Sequence, residues 1–314
     1  MLSCQPKTDS TDAIIPSTEN NLTVFFIPTP FGINWNSPRK LFNSIALNYF
    51  SLSPHFMGHV AVHLSCTDLS QQQHELTTGM THKEFPAVKN IFVEKSGLGV
   101  MFAKYPGKMD GPKVKQTIIQ LLKNPGTNPG ISFLRFKISA AACTRIVTYM
   151  KEYKENNLER YYSLYSRPLY GEGAGCSAFG ASFLQVAGLM TQELEAAWTI
   201  NLQLPKKLIG RPFIEQDVAF WKVITDGQTW GSNDDTSEDF TFWEPDRMHQ
   251  WASKIIRAKA LNSSYQVIQI YKAQGLYLDA SLRPVPFDPI WKKTDRPYFS
   301  ELVELNKKLY QNSL

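Results

Sequence analysis

Apolar residues alternate with polar ones in some stretches of the chain and recur every third or fourth position in others, and these two periods separate strands from helices. Leu22–Pro28 predicts a strand ended by its proline. Gly58–Cys66 alternates with β-branched residues and predicts a second, and Glu75–Thr81 a third after a Gln-rich turn. Asn90–Glu94, Gly99–Lys104 and Ile131–Ile138 read as further strands. Helical spacing marks Arg39–Ser51, Lys113–Lys123, Ser139–Leu158 and Cys176–Met190, the last through Phe179, Gly180, Phe183, Ala187 and Met190. Beyond these, Trp198–Leu204 reads as a strand, Asp226–Asp239 as a polar loop and Tyr265–Ala273 as mixed. Glu244–Lys259 and Phe299–Tyr310 read as helices. Pro245 suits the first turn of its helix.

Composition narrows the class. The chain has 314 residues, 43% of them hydrophobic and 19% charged, which supports a packed core and excludes a disordered chain. Four cysteines are too few for a disulfide scaffold, and no apolar run is long enough to predict a transmembrane helix. The net charge of +5 is dispersed, with no basic stripe interleaved with aromatics, so no nucleic-acid partner is expected. Residues 1–21 read as a polar tether. Ser3-Cys4 near its start is like the end of a bacterial lipoprotein signal, with Cys4 as lipid anchor; an ordinary frayed terminus fits the same residues.

Candidate chemistry gathers in three places. On the strand Gly58–Cys66, Val60, Val62, Leu64 and Cys66 form an apolar face, while His59, Ala61, His63 and Ser65 form a small polar one, as a cleft wall would. His59 and His63 would lie roughly 13 Å apart on a strand, too far for one ion, so no metal site is expected there. The next strand offers His74 and Glu75, and paired apolar faces would turn Glu75 to the His59 side. Third, Gly171, Gly173 and Gly175 lead into a helix with Cys176 at its first turn, where unpaired N–H groups and the helix dipole favour a thiolate. Gly173–Ala178 fits a dinucleotide fingerprint on paper, but no apolar strand precedes it. Cys66 and Cys143 read as core residues, His249 as structural, and Trp221, Trp230, Trp243 and Trp251 as core or cleft lining.

The order His, acidic residue, Cys resembles that of the circularly permuted papain-like (NlpC-type) cysteine hydrolases, the YiiX-like group, and more distantly the lecithin:retinol acyltransferase-like proteins. Gly58-His59-Val60-Ala61-Val62 is similar to the family's His-Val-Gly-Ile strand, with Ala61 in place of a common Gly. Glu75-Leu76-Thr77-Thr78-Gly79-Met80 keeps the Glu-to-Gly spacing of its second strand. Cys176-Ser177-Ala178-Phe179 is similar to Cys-Ser-Glu-Leu, with Ala178 replacing Glu; the glycine-rich approach departs from the family.

The resemblance covers about residues 56–190. It implies an α+β fold, a papain-like antiparallel sheet packed on helices over 22–190; residues 191–314, which it does not explain, are expected as a C-terminal α/β or mainly helical extension packing on or near the cleft. It implies a thiol-dependent hydrolase without a cofactor: Cys176 as nucleophile, His59 as base, and Glu75, or else His74, as orienting residue. Gly173, Gly175, Ser177, His63 and His74 are the expected substrate contacts. The expected partner is a peptide, a cell-wall peptide or a lipid, at the cell envelope if Cys4 is lipidated and otherwise in the cytoplasm. A non-catalytic binding module on this fold and an acyltransferase are the alternatives.

Overall fold

The central sheet follows from strands that bury both faces. In a computed structural model describing residues 19–51, 57–83, 94–126, 130–259, 261 and 263–293, eight strands lie in the order β6-β4-β3-β2-β1-β5-β10-β9. They are β1 (Asn21–Ile27), β2 (His59–Thr67), β3 (Gln73–His82), β4 (Tyr105–Met109), β5 (Ser132–Lys137), β6 (Tyr161–Tyr162), β9 (Gln266–Ile270) and β10 (Ala273–Asp279). All neighbours run antiparallel except β5 and β10. A separate ribbon pairs β7 (Thr199–Pro205) with β8 (Ser237–Trp243). The seven described helices are α1 (Pro38–Phe50), α2 (Lys113–Lys123), α3 (Ala140–Glu155), α4 (Cys176–Val186), α5 (Gln192–Trp198), α6 (Phe220–Asp226) and α7 (Pro245–Arg257).

Alternation sorts the core. Val24, Phe26, Val60, Val62, Leu134 and Phe136 point to one face and pack with α3, α4, α5 and α7 through Ile146, Phe179, Phe183, Trp198 and Met248. Phe25, Ile27, Ala61 and Phe133 point to the other and meet Ile118, Ile119 and Leu122 of α2. A further cluster joins α1, α6 and the β7–β8 ribbon through Leu41, Phe42, Val223, Phe240 and Phe242. The chain is therefore mixed α+β with a mostly antiparallel sheet. Segment 191–314, expected as an extension, supplies β9 and β10 of this sheet and α7 against its face.

Local chemistry explains most boundaries. Ser139 accepts from Ala142 N–H and opens α3. Glu244 caps α7 by accepting from Arg247 N–H, with Pro245 in the first turn as expected. Helix α4 stops at Val186 rather than Met190, because Gly188 N–H turns back to Gln185 O and Leu189 N–H to Leu184 O.

Other expectations are corrected. Gly99–Lys104 is no strand: Leu98–Met101 is a 3₁₀ turn whose leucine and methionine enter the ribbon core. Strand β4 went unforeseen because Pro106 and Gly107 disfavour strands, yet it pairs Met80 with Met109. Cys66 and Cys143 are not separate packing residues but a disulfide joining β2 to α3. Trp230 packs against the ribbon core and Trp243 and Trp251 against the main core, while Trp221 is exposed. His249 sits between the hydroxyls of Ser132 and Ser253, and burial holds its imidazole down at about 4. The expected strand Asn90–Glu94, apart from Glu94, the closing helix at Phe299–Tyr310 and the Cys4 anchor lie outside the described residues. Among the described residues no helix is long and apolar enough to cross a membrane.

Candidate active site

Cys176 is the first residue of α4, with Gly175 as its N-cap. The approach is shaped by Gly173, which holds φ +79 where a Cβ would lie 2.7 Å from Tyr161 Cβ and O. Buried Glu172 braces the same loop by accepting from Arg167 N–H at 2.8 Å and from its guanidinium at 2.9 and 3.2 Å. Cys176 is buried, 4% exposed as a residue.

His59 opens β2 beside it. Its Nε2 bonds Asp110 Oδ2 at 2.8 Å, and the imidazole lies close enough to the Cys176 sulfur for each to shift the ionisation of the other. Gly79 makes this possible. A Cβ there would lie 2.5 Å from Asp110 Oδ2 and 2.9 Å from His59 Nε2, so the pair occupies the space a side chain would fill. Asp110 N–H also donates to Gly79 O at 3.0 Å, which docks the end of β4 on β3 and carries the carboxylate to the histidine.

The electrostatics follow from this contact. Burial pulls the His59 imidazole down, but the Asp110 carboxylate and the Cys176 sulfur outweigh it and lift it to about 10. Burial pushes the Cys176 thiol up, yet the His59 bond and charge, with help from Tyr162 and the Val60 N–H, bring it below its ordinary value. The Tyr162 hydroxyl donates to the sulfur at 3.7 Å. Burial and the neighbouring sulfur raise that phenol well above its usual range, so it stays protonated. The His82 ring meets Tyr162 edge-on at 5.7 Å.

Of the residues singled out from sequence, Cys176 and His59 are brought together, with Gly173, Gly175 and Ser177 around the sulfur's helix turn. Glu75 is not. Parity was right, since it shares the His59 face, but the register pairs it with Ser65, six residues and roughly 20 Å along β2 from His59. There it binds Lys115 at 2.8 Å. His74 lies opposite Cys66 and binds Asp68 at 2.7 Å in the hairpin turn, so it neither orients His59 nor reaches substrate near Cys176. His63 bonds Thr77 on the α2 face, where burial lowers it to about 4, and it is no part of the cluster. Asp110 and Tyr162 were missed. Asp110 follows a strand hidden by Pro106 and Gly107, and Tyr162 sits in a strand of two residues.

Comparison with known proteins gives no match: no family model, curated protein or solved structure aligns with the chain.

Proposed function

We propose that the protein is a thiol-dependent hydrolase in which Cys176, His59 and Asp110 act as nucleophile, acid–base and orienting residue. The observation that carries this reading is the single imidazole held between a carboxylate at 2.8 Å and a sulfur at the start of a helix. The order His59, then Cys176 on a helix, with a carboxylate beyond the imidazole, keeps the resemblance to permuted papain-like hydrolases; Asp110 replaces Glu75 in it.

The chemistry follows from the groups in place. The thiolate attacks a carbonyl carbon and a C–S bond forms. The oxyanion gathers on the Cys176 N–H at the dipole end of α4, with the Tyr162 O–H as second donor. The His59 imidazolium gives its proton to the departing amine or alcohol as that bond breaks, leaving a thioester. His59 then takes a proton from water as that water attacks the thioester, the C–S bond breaks, and the acid leaves with the Cys176 thiolate and His59 imidazolium restored. Asp110 keeps the imidazolium oriented and compensated throughout. The substrate is an amide or ester of a peptide, a cell-wall peptide or a lipid.

Mass spectrometry of the intact protein mixed with activated amino-acid and fatty-acyl esters tests this. The expected result is an acyl adduct on Cys176, absent in Cys176→Ala and His59→Ala, that decays in water to the free acid. Decay only on adding an amine or alcohol acceptor would make the enzyme an acyltransferase. No adduct from any ester would favour a non-catalytic module.

A further inference from the structure

Two cysteines outside the candidate site form a bond that the proposed chemistry does not use. Cys66, near the end of β2, is joined to Cys143 of α3 across 77 residues of sequence, with Cα atoms 6.1 Å apart. Both are buried, at 5% and 0% exposure. The neighbouring turn is tied to the same helix: Leu69 N–H donates to Thr144 Oγ1 at 3.0 Å. Asp68 holds that turn through Ser70, Gln72 and His74.

The bond lies where it bears on the sheet. Strand β2 carries His59 at one end and Cys66 seven residues on, roughly 23 Å away. Helix α3 packs on α4, the helix of Cys176, where Tyr149 bonds Ser182 at 2.8 Å and meets Phe183 edge-on. One covalent link therefore fastens the strand of the imidazole to the helix pair of the sulfur, at the end remote from the thiol. Cys176 is the free cysteine among the described residues.

We infer that Cys66–Cys143 is a structural disulfide acquired in an oxidising compartment, and that the chain matures there rather than in a thiol-reducing cytosol. In forming it, the two thiols give up two protons and two electrons to the disulfide of a thiol oxidoreductase, which leaves as a dithiol. Closing a 77-residue loop restricts the unfolded chain. The inference does not depend on Cys176 being catalytic.

The test compares full-length protein exported to a bacterial periplasm with the same chain made in the cytosol of that host. Each is denatured without reductant, alkylated and mapped by peptide mass spectrometry. The periplasmic protein should show Cys66 and Cys143 peptides joined and the Cys176 peptide alkylated. The cytosolic protein should have free thiols at 66 and 143 and a Tm lower by about 7 °C, recovered on oxidation by a glutathione disulfide buffer. Reducing the periplasmic protein should give the same drop. The Cys66→Ala/Cys143→Ala variant should start from the lower Tm and not respond to reductant; if it fails to fold, reduction of the wild type carries the result. Alkylation of both cysteines in the periplasmic protein, or an unchanged Tm once both are shown reduced, would overturn the inference. Cys176→Ala should behave as wild type in every arm, which keeps this outcome separate from that of the catalytic reading.

Discussion

Replacing Asp110 with Asn removes one buried negative charge while keeping an oxygen that can face His59. The carboxylate bonds Nε2 at 2.8 Å in a pair whose side chains are 10% and 13% exposed, so water screens it little. Burial by itself lowers the imidazole, and Asp110 is the foremost group that lifts it to about 10. A hydrogen bond to a charged group is worth roughly 1.5–3 kcal/mol, which at 1.36 kcal/mol per tenfold corresponds to roughly 10- to 150-fold in the imidazolium population. The sulfur loses its counter-ion by the same factor. The assay is the rate of Cys176 alkylation by iodoacetamide across pH. In the wild type the rate should fall off at a lower pH than for an ordinary thiol, because the thiol lies below its ordinary value. In Asp110→Asn the acid-side rate should fall by that factor, while the rates converge in alkali where any thiol ionises. Glu75→Gln should leave the profile alone. An Asp110→Asn protein with native Tm and an unshifted profile would refute the orienting role, and a shift in Glu75→Gln instead would restore the carboxylate expected from sequence.

Other predictions follow from the same contacts. Gly79→Ala puts a methyl 2.5 Å from Asp110 Oδ2 and should slow acid-side alkylation at least as much as Asp110→Asn, a comparison that fails if the variant labels like wild type. Tyr162→Phe removes the second oxyanion donor, so turnover of an ester substrate should drop by roughly 100-fold or more while alkylation slows far less; equal losses in both would assign Tyr162 to thiolate support alone. Buried Glu244 is raised to about 8 by burial and the adjacent Asp246. Its proton therefore favours the folded state fully below about 4.5, and that benefit is lost as pH rises towards 8. Glu244→Gln mimics the protonated form and can still accept from Arg247 N–H, so its Tm advantage should grow between those limits; a pH-independent difference would contradict the assignment.

The sequence exposed what depends on periodicity and little that depends on register. Val60, Val62 and Leu64 announced β2 and its buried face, and Lys113–Lys123 announced α2 at its observed bounds. The glycines before Cys176 announced a backbone that turns closely into a helix. Alternation also set Glu75 on the correct face, but face and position along a strand are separate facts, and only the β2–β3 pairing fixes the second. Asp110 reaches His59 through β4, whose Pro106 and Gly107 carry no strand signal and whose pairing is imposed by β3 and β6. The disulfide was hidden for a similar reason. Cys66 and Cys143 each fit an apolar face, and that they face each other depends on how α3 crosses β2.

The central claim is that Cys176 and His59 share one ionised pair. The ultraviolet absorbance of the thiolate, followed through a pH titration and referenced to Cys176→Ala, measures this directly. The account predicts ionisation of Cys176 below the ordinary thiol range in the wild type, and at a clearly higher pH in His59→Ala, where burial is opposed only by Tyr162 and the Val60 N–H. Ionisation of Cys176 at the same pH in both proteins would contradict it.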